Sequence, residues 1–229
     1  MFGRRSRLAA LGAVGLGACA VLAACSPVKV GAAAVVGDQR ITVASLDTQV
    51  TNFHAAAAPY GSQVQLTSTE VPAAVLSWLI RFSIGDQVAA QAGISVTQAQ
   101  IQQGTASINS QAQQAASQNG LGSAQSVFLN AGLSPQMLPA LGRYQAQEIA
   151  FAEQANGGKL PTTTAENDTV NAKLTKAECT AAKSLNIQVS PQFGRMDYTQ
   201  YTVVPAADTL SRPAGTPSPA STTGLAPAC

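Results

Sequence analysis

Few side chains in this 229-residue chain are equipped for chemistry. The single histidine, His54, has no second His and no Asp, Glu or Cys close to it in sequence. A zinc site draws several such ligands together at short spacing, and a proton switch needs a charged neighbour, so His54 reads as a solvent-facing or core-edge residue. There is no Ser-His-Asp set, no zinc-ligand spacing and no Gly-rich phosphate loop; Gly37 and Asp38 read as a turn. The expectation is a protein that is not an enzyme, with no catalytic residue, no metal and no cofactor. Four cysteines remain, Cys19, Cys25, Cys179 and Cys229, and their positions say more than their number.

Arg4, Arg5 and Arg7 precede an apolar run from Leu8 to Ala24, shorter than the roughly 20 residues a spanning helix needs. Charged start and short apolar run are the layout of a secretory signal. The arginine pair is also a weak sign of twin-arginine export. The run ends in Leu22-Ala23-Ala24-Cys25, which resembles a bacterial lipobox. There, small residues fit the lipoprotein signal peptidase and the cysteine thiol receives diacylglycerol. We expect residues 1–24 to be a lipoprotein signal peptide, Cys25 to be the lipid attachment site and residues 25–33 to be a tether. The chain would then sit on the extracytoplasmic face of the cell membrane. An ordinary signal peptide with a chance cysteine, or an uncleaved anchor, is the alternative.

Three of the thirteen basic residues precede Cys25 and none of the eleven acidic ones does, so the rest carries ten against eleven. With no basic patch and no acidic tract, nucleic acid is not an expected partner. Cys19 lies in the leader, which leaves Cys179 and Cys229. In an oxidising compartment these are expected to form a disulfide. It would close a loop of about 50 residues, worth on the order of 4 kcal/mol in the loop-entropy account. Two unpaired thiols, one in a helix and one on a mobile tail, remain the alternative. From Thr209 onward the chain is Ser, Thr, Pro, Gly and Ala, too polar to bury itself, so residues 206–229 read as a disordered tail.

The elements between leader and tail are organised around a stretch from Glu70 to Ile101. Val75, Leu79 and Phe82 fall on one side of a helical period, and Leu76, Ile80, Ile84 and Val88 on another. A helix apolar on two sides is packed on two sides, so this is expected to be the central helix. Gly93 is placed for a left-handed cap with Ile94 docking back. Thr97 with Gln100 forms a capping box for the next helix, and Val96 with Ile101 a hydrophobic staple. Ser68 or Thr69 is placed to cap the central helix, and Pro72 lies in its first turn.

Before it, Ala34-Val35-Val36 and Arg40-Ile41-Thr42 flank a tight turn at Gly37-Asp38-Gln39, and Thr42 can cap a helix with Leu46, Val50 and Phe53 inward. After it, a helix from Gln98 to about Gln118 is expected to bury Ile101, Ile108, Ala112 and Ala115 and to be the loosest, since its outer positions are Gln and Ser. A short helix around Val127-Phe128-Leu129 ends at Gly132. Ser134-Pro135 opens another with Leu138, Leu141, Ile149 and Ala152 on one side, and a start at Pro139, which would lose a backbone bond inside a helix, is the alternative. Gly157 to Thr164 reads as a linker. A helix with Val170, Leu174, Ala177 and Ala181 follows, and Leu185, Ile187 and Val189 alternate into a strand. Trp78 and Phe82 read as core, with a binding groove as the other reading; Tyr198 and Tyr201 could be exposed contact residues.

Four stretches together resemble the extracytoplasmic chaperones of the SurA/PrsA type. They are Ala34 to Thr42, the central helix through Gln91-Ala92-Gly93-Ile94-Ser95-Val96-Thr97, Phe128-Leu129-Asn130-Ala131-Gly132-Leu133-Ser134, and Val189-Ser190-Pro191-Gln192-Phe193-Gly194. The resemblance implies a mainly α fold. It would be a SurA N-terminal-like helical domain over residues 34–205, with a small sheet formed by N-terminal strands and a late strand, segment 165–194 returning to it. It implies an ATP-independent chaperone that binds unfolded or partly folded exported polypeptides through an apolar groove. Members of this type commonly insert a parvulin prolyl isomerase domain, with paired histidines, before the last helix and strand. Here that position holds only the Gly157–Thr164 linker, so isomerase activity is not expected. The other reading is an accessory or scaffold lipoprotein dedicated to one envelope partner.

Overall fold

The computed structural model describes residues 30–204. The leader, Cys25, the tail and Cys229 lie outside the described residues.

Strand β1 (Ala32–Val36) pairs antiparallel with β2 (Gln39–Thr42), Val36 opposite Gln39 and Val35 opposite Arg40. Gly37 has φ +58, the left-handed conformation that a two-residue hairpin demands. Thr42 caps α1 (Val43–Ala57) by accepting the Ser45 N–H at 3.0 Å, and Leu46 and Phe53 are buried from this helix.

The central helix is α2 (Val71–Gln91), which buries Val71, Val75, Leu76, Ile80, Ile84 and Val88. Neither Ser68 nor Thr69 caps it. Glu70 stands at its start, and its carboxylate turns back to accept the Thr67 N–H at 3.0 Å and hydroxyl at 2.7 Å. Those bonds close a turn that leaves Ser68 and Thr69 exposed on its outside. At the other end Gly93 (φ +68) makes the full two-bond cap. The Ile94 N–H reaches the Ala89 carbonyl at 2.8 Å and the Gly93 N–H the Ala90 carbonyl at 3.2 Å. Thr97 and Gln100 form the reciprocal capping box of α3 (Gln98–Gln118).

Helix α3 buries Gly104, Ala112 and Ala116, so the inward face includes Ala116 rather than Ala115, and Ile101 and Ile108 are only partly covered. Helix α4 (Ala124–Asn130) and a 3-10 turn at Pro135–Met137 lead into α5 (Leu138–Ala155). Pro139 is the second residue of α5, where the missing N–H has no intrahelical partner to lose. A Cβ on Gly104 would stand 2.5 Å from the Gly142 carbonyl oxygen, and one on Gly142 would stand 3.0 Å from the Ile101 carbonyl oxygen. The two backbones approach each other because both positions lack a side chain.

After the linker, α6 (Thr164–Ser184) starts from a second capping box, Thr163 with Glu166. The chain then returns. Leu185 caps α6 rather than starting a strand, and its carbonyl accepts the Gly37 N–H at 2.6 Å. Strand β3 is only Gln188–Val189, pairing antiparallel with β1 through Val189 opposite Ala34 and Gln188 opposite Val35. The sheet order is β2-β1-β3, so the first strands and the strand after α6 share one sheet beside six α-helices. The fold is mainly α with a small antiparallel sheet, as the sequence indicates.

A separate hairpin, β4 (Arg195–Asp197) with β5 (Thr202–Val204), has no counterpart in the sequence reading. It lies on α2, where the Ser77 hydroxyl accepts the Val203 N–H at 2.8 Å.

Candidate functional site

Two places in the fold combine concavity with unusual side chains. The first is an open hollow of about 280 Å³ at the C-terminal end of α1, bounded by Phe53, His54, Ala57, Val64 and Leu66 among others. Its size falls just under the roughly 300–1,000 Å³ of small-molecule sites. Phe53 forms a buried floor and His54 an exposed rim, their rings edge to face with centroids 5.8 Å apart. The far wall is the irregular segment around Val64. Asn130 of α4 fixes it, accepting the Gln65 N–H at 2.8 Å and donating to the Gln63 carbonyl at 2.7 Å. The Gly122 N–H adds a bond to Gln63 Oε1 at 3.2 Å. Extended backbone is thus held in place from outside while its apolar side chains face the hollow's lining.

The second is a polar seam where α2, α5 and α6 meet. Tyr144, 9% exposed, donates its hydroxyl to Glu178 Oε1 at 2.6 Å, and Glu178 is itself 8% exposed. Glu148, one turn beyond Tyr144 on α5, shares with both of them a cavity of about 10 Å³, the scale of a single water molecule. Apolar walls come from Val88, Ala89, Ile94, Phe151 and Leu174. Burial, and then the charge of Glu178, push the Glu148 carboxyl up to about 7, against partial relief from the Tyr144 hydroxyl and Arg81. Burial first, then Glu148 and Glu178, raise the Tyr144 phenol well above its ordinary range.

Arg81 is the cation of this seam. It is 9% exposed and its guanidinium stands 5.4 Å from the centre of the Trp78 ring. On the outer flank, Gln147 donates to Asp86 Oδ1 at 2.7 Å and Arg143 pairs with the same carboxylate at 3.2 Å. A Cβ on Gly85 would collide with the Tyr144 ring at 2.5 Å, so the absent side chain of Gly85 is what admits the tyrosine.

His54 is exposed, as expected of a residue without partners in sequence. Trp78 and Phe82 are partly buried and pack against the core, with ring centroids 5.7 Å apart; Trp78 also donates its indole N–H to the Ala131 carbonyl at 2.7 Å. They line neither concavity. Tyr201 is a correction: it is 2% exposed, not a surface contact. It adopts φ +51, and its hydroxyl donates to Cys179 Sγ at 2.7 Å. Burial, and then the Glu178 charge, push its phenol up to about 12. Tyr198 is half-buried, with its hydroxyl on the Ile187 carbonyl at 3.2 Å. Both tyrosines are turned inward because the β4–β5 hairpin folds onto α2 and α6.

Cys179 lies on α6, half-buried and disulfide-bonded. Its expected partner Cys229 and the expected lipid site Cys25 fall outside the described residues. Among the described residues, no three His, Cys, Asp or Glu side chains stand close enough to share a metal ion, and no helix is long and apolar enough to cross a membrane.

The seam residues carry little sequence signal. Tyr144 and Glu148 are four apart on a helix that also buries Leu141, Ala146 and the polar Gln147, and Arg81 follows Ser77 by the same interval inside the central helix. A polar residue recurring at core spacing is the sign that would have located them. Compared with known proteins, the chain matches no protein family, no characterised protein and no solved structure.

Proposed function

We propose that this protein is a lipid-anchored, ATP-independent chaperone of the holdase type, binding unfolded or partly folded exported polypeptides at the outer face of the membrane without prolyl isomerase activity. The observation that carries the reading is the hollow between α1 and the Val64–Leu66 segment. It is open and free of convergent charges, and its lining sets Phe53, Ala57, Ala58, Val64 and Leu66 beside the polar groups of His54 and Ser68. Such a surface takes up an apolar side chain of an extended chain with little demand on its identity, which suits many weak clients. Two further facts are consistent with the resemblance behind this reading: the late strand pairs with β1, and the Gly93–Ile94 exit leads from the central helix into a capped one.

The test is an aggregation assay. The chain added at stoichiometric ratio to a chemically unfolded client is expected to slow light scattering in the absence of nucleotide. Unchanged scattering over a set of apolar clients, with no binding of apolar peptides, would refute the proposal.

A second reading, an accessory lipoprotein dedicated to one envelope partner, is favoured by one observation. The hollow, at about 280 Å³, is of a size for one anchoring side chain. Recovery of one stoichiometric protein in crosslinked membranes, in place of a mixture, distinguishes it.

A further inference from the structure

The seam between α5 and α6 holds two carboxylates and one guanidinium in an apolar-walled setting. The groups acting on Glu148 are Glu178 from α6, Arg81 from α2 and Tyr144 from its own helix. Tyr201, from the β4–β5 hairpin, borders the same Glu178 and Arg81 charges. The remaining nearby charges are engaged elsewhere: Arg143 with Asp86 at 3.2 Å, and the Lys173 amine with the Ala155 carbonyl at 2.7 Å. One cation therefore serves two carboxylates. With a proton on Glu148 the set is neutral; with both carboxylates ionised it carries an excess negative charge against Val88, Ala89 and Leu174. Burying an uncompensated charge is costly, and water or movement must relieve it.

Movement is available to the N-terminal part of α6, while Ala181 and Ala182 keep its other end in the core. The segment before it contains Gly157 (φ +72) and Gly158 (φ +86), and neither has a heavy atom within 4 Å of where a Cβ would be. This linker is not wedged against the rest of the molecule. What holds α6 to α5 in polar terms is the Tyr144–Glu178 bond and the Lys173–Ala155 bond. The cavity beside the carboxylates already has the volume of one water.

We propose that the α5–α6 seam is a proton-operated latch: α6 is held down while Glu148 carries a proton, and it loosens when Glu148 ionises beside Glu178. The latch stands independently of what the hollow binds.

Amide hydrogen exchange on the full chain tests it, corrected for intrinsic rates and compared at about pH 5.5 and about pH 8. The opening equilibrium of α6 amides is expected to rise about tenfold or more over this interval, with α3 amides showing no such rise. Glu148→Gln, which keeps shape and removes the ionisation, is expected to hold α6 opening at its acidic level at both pH values. Equal opening of α6 at the two pH values in the unaltered chain, or a rise retained in Glu148→Gln, would overturn the proposal. Carboxyl NMR of the unaltered protein gives a second reading that does not depend on the variant. Titration of Glu148 near neutrality supports the latch, and titration in the ordinary carboxylate range rejects it.

Discussion

The Ser77 hydroxyl, in the middle of the central helix, accepts the backbone N–H of Val203 at 2.8 Å while donating to the Ala73 carbonyl at 2.7 Å. One side chain thus ties the β4–β5 hairpin, more than a hundred residues on, to the helix at the centre of the fold. Ser77→Ala leaves a buried N–H without a partner, at a cost of about 1–3 kcal/mol. Denaturant unfolding is expected to show that loss. Hydrogen exchange should place the loosening in residues 195–204 ahead of α3 and α5. Unchanged exchange in the hairpin would mean that the strand pairing, not Ser77, holds it.

The crossing of α3 and α5 rests on Gly104 and Gly142. A Cβ at position 104 meets backbone oxygen at 2.5 Å, and no rotamer change can relieve contact with a backbone atom. Gly104→Ala is expected to cost about 3 kcal/mol, at the upper end of overpacking effects, and to raise exchange in both helices. Gly93→Ala differs in kind. Nothing stands within 4 Å there, so only the left-handed backbone is penalised, by about 1–2 kcal/mol, with loosening confined to the end of α2. Comparing the two exchange maps checks the assignment.

Much of this fold was legible because its signals are local. Gly93 before Ile94, Thr97 before Gln100 and Gly37-Asp38 between short apolar runs each satisfy a nearby backbone group, and each is realised as read. The return of Val189 to β1 was accessible only as what the family resemblance implies. What was not legible depends on contacts between distant segments. Gly104 reads as a poor helix former until α5 lies across it, Ser77 as a tolerated polar residue until Val203 arrives. The exposure of Tyr198 and Tyr201 was left open because no local pattern announces the hairpin that turns them inward. The seam of Tyr144, Glu148, Glu178 and Arg81 interrupts apolar periodicity on three helices at once, and no one helix shows that the interruptions coincide. Of the candidate hollow, Phe53, His54 and Ser68 were marked beforehand, as a core residue, a solvent-facing or core-edge residue and a helix cap, none of them as part of a binding surface.

Stability should depend on pH in a direction set by Glu148. Its carboxyl is raised from an ordinary 4.5 to about 7, so the folded chain binds this proton more tightly than the unfolded one. Stability is then expected to fall as pH rises from about 4.5 to about 7 and to level off above, by about 3 kcal/mol at most. Glu70 and Asp197 work in the opposite sense. The Thr67 and Thr199 hydrogen bonds hold their carboxyls below the usual range, so their small, solvent-screened contribution disappears as pH falls through those lowered values. Thermal unfolding across this range should be steeper in the unaltered chain than in Glu148→Gln.

The proposed anchoring has a direct consequence. Cys25→Ser removes the thiol that would receive lipid. It is expected to shift the exported protein from the membrane fraction to the soluble one, measured by fractionation. An unchanged membrane fraction would count against anchoring at this residue.

The proposed chaperone function turns on whether the α1 hollow receives apolar side chains of unfolded polypeptides. Site-specific photo-crosslinking reads this directly, with the photoreactive residue placed at Val64 in the hollow or at Gln113 on the exposed side of α3. With an unfolded apolar client, the account predicts strong adducts from position 64, weak ones from position 113, and loss of the former when the client is folded. Equal labelling from both positions, or none from position 64 under conditions where the client binds, would contradict it.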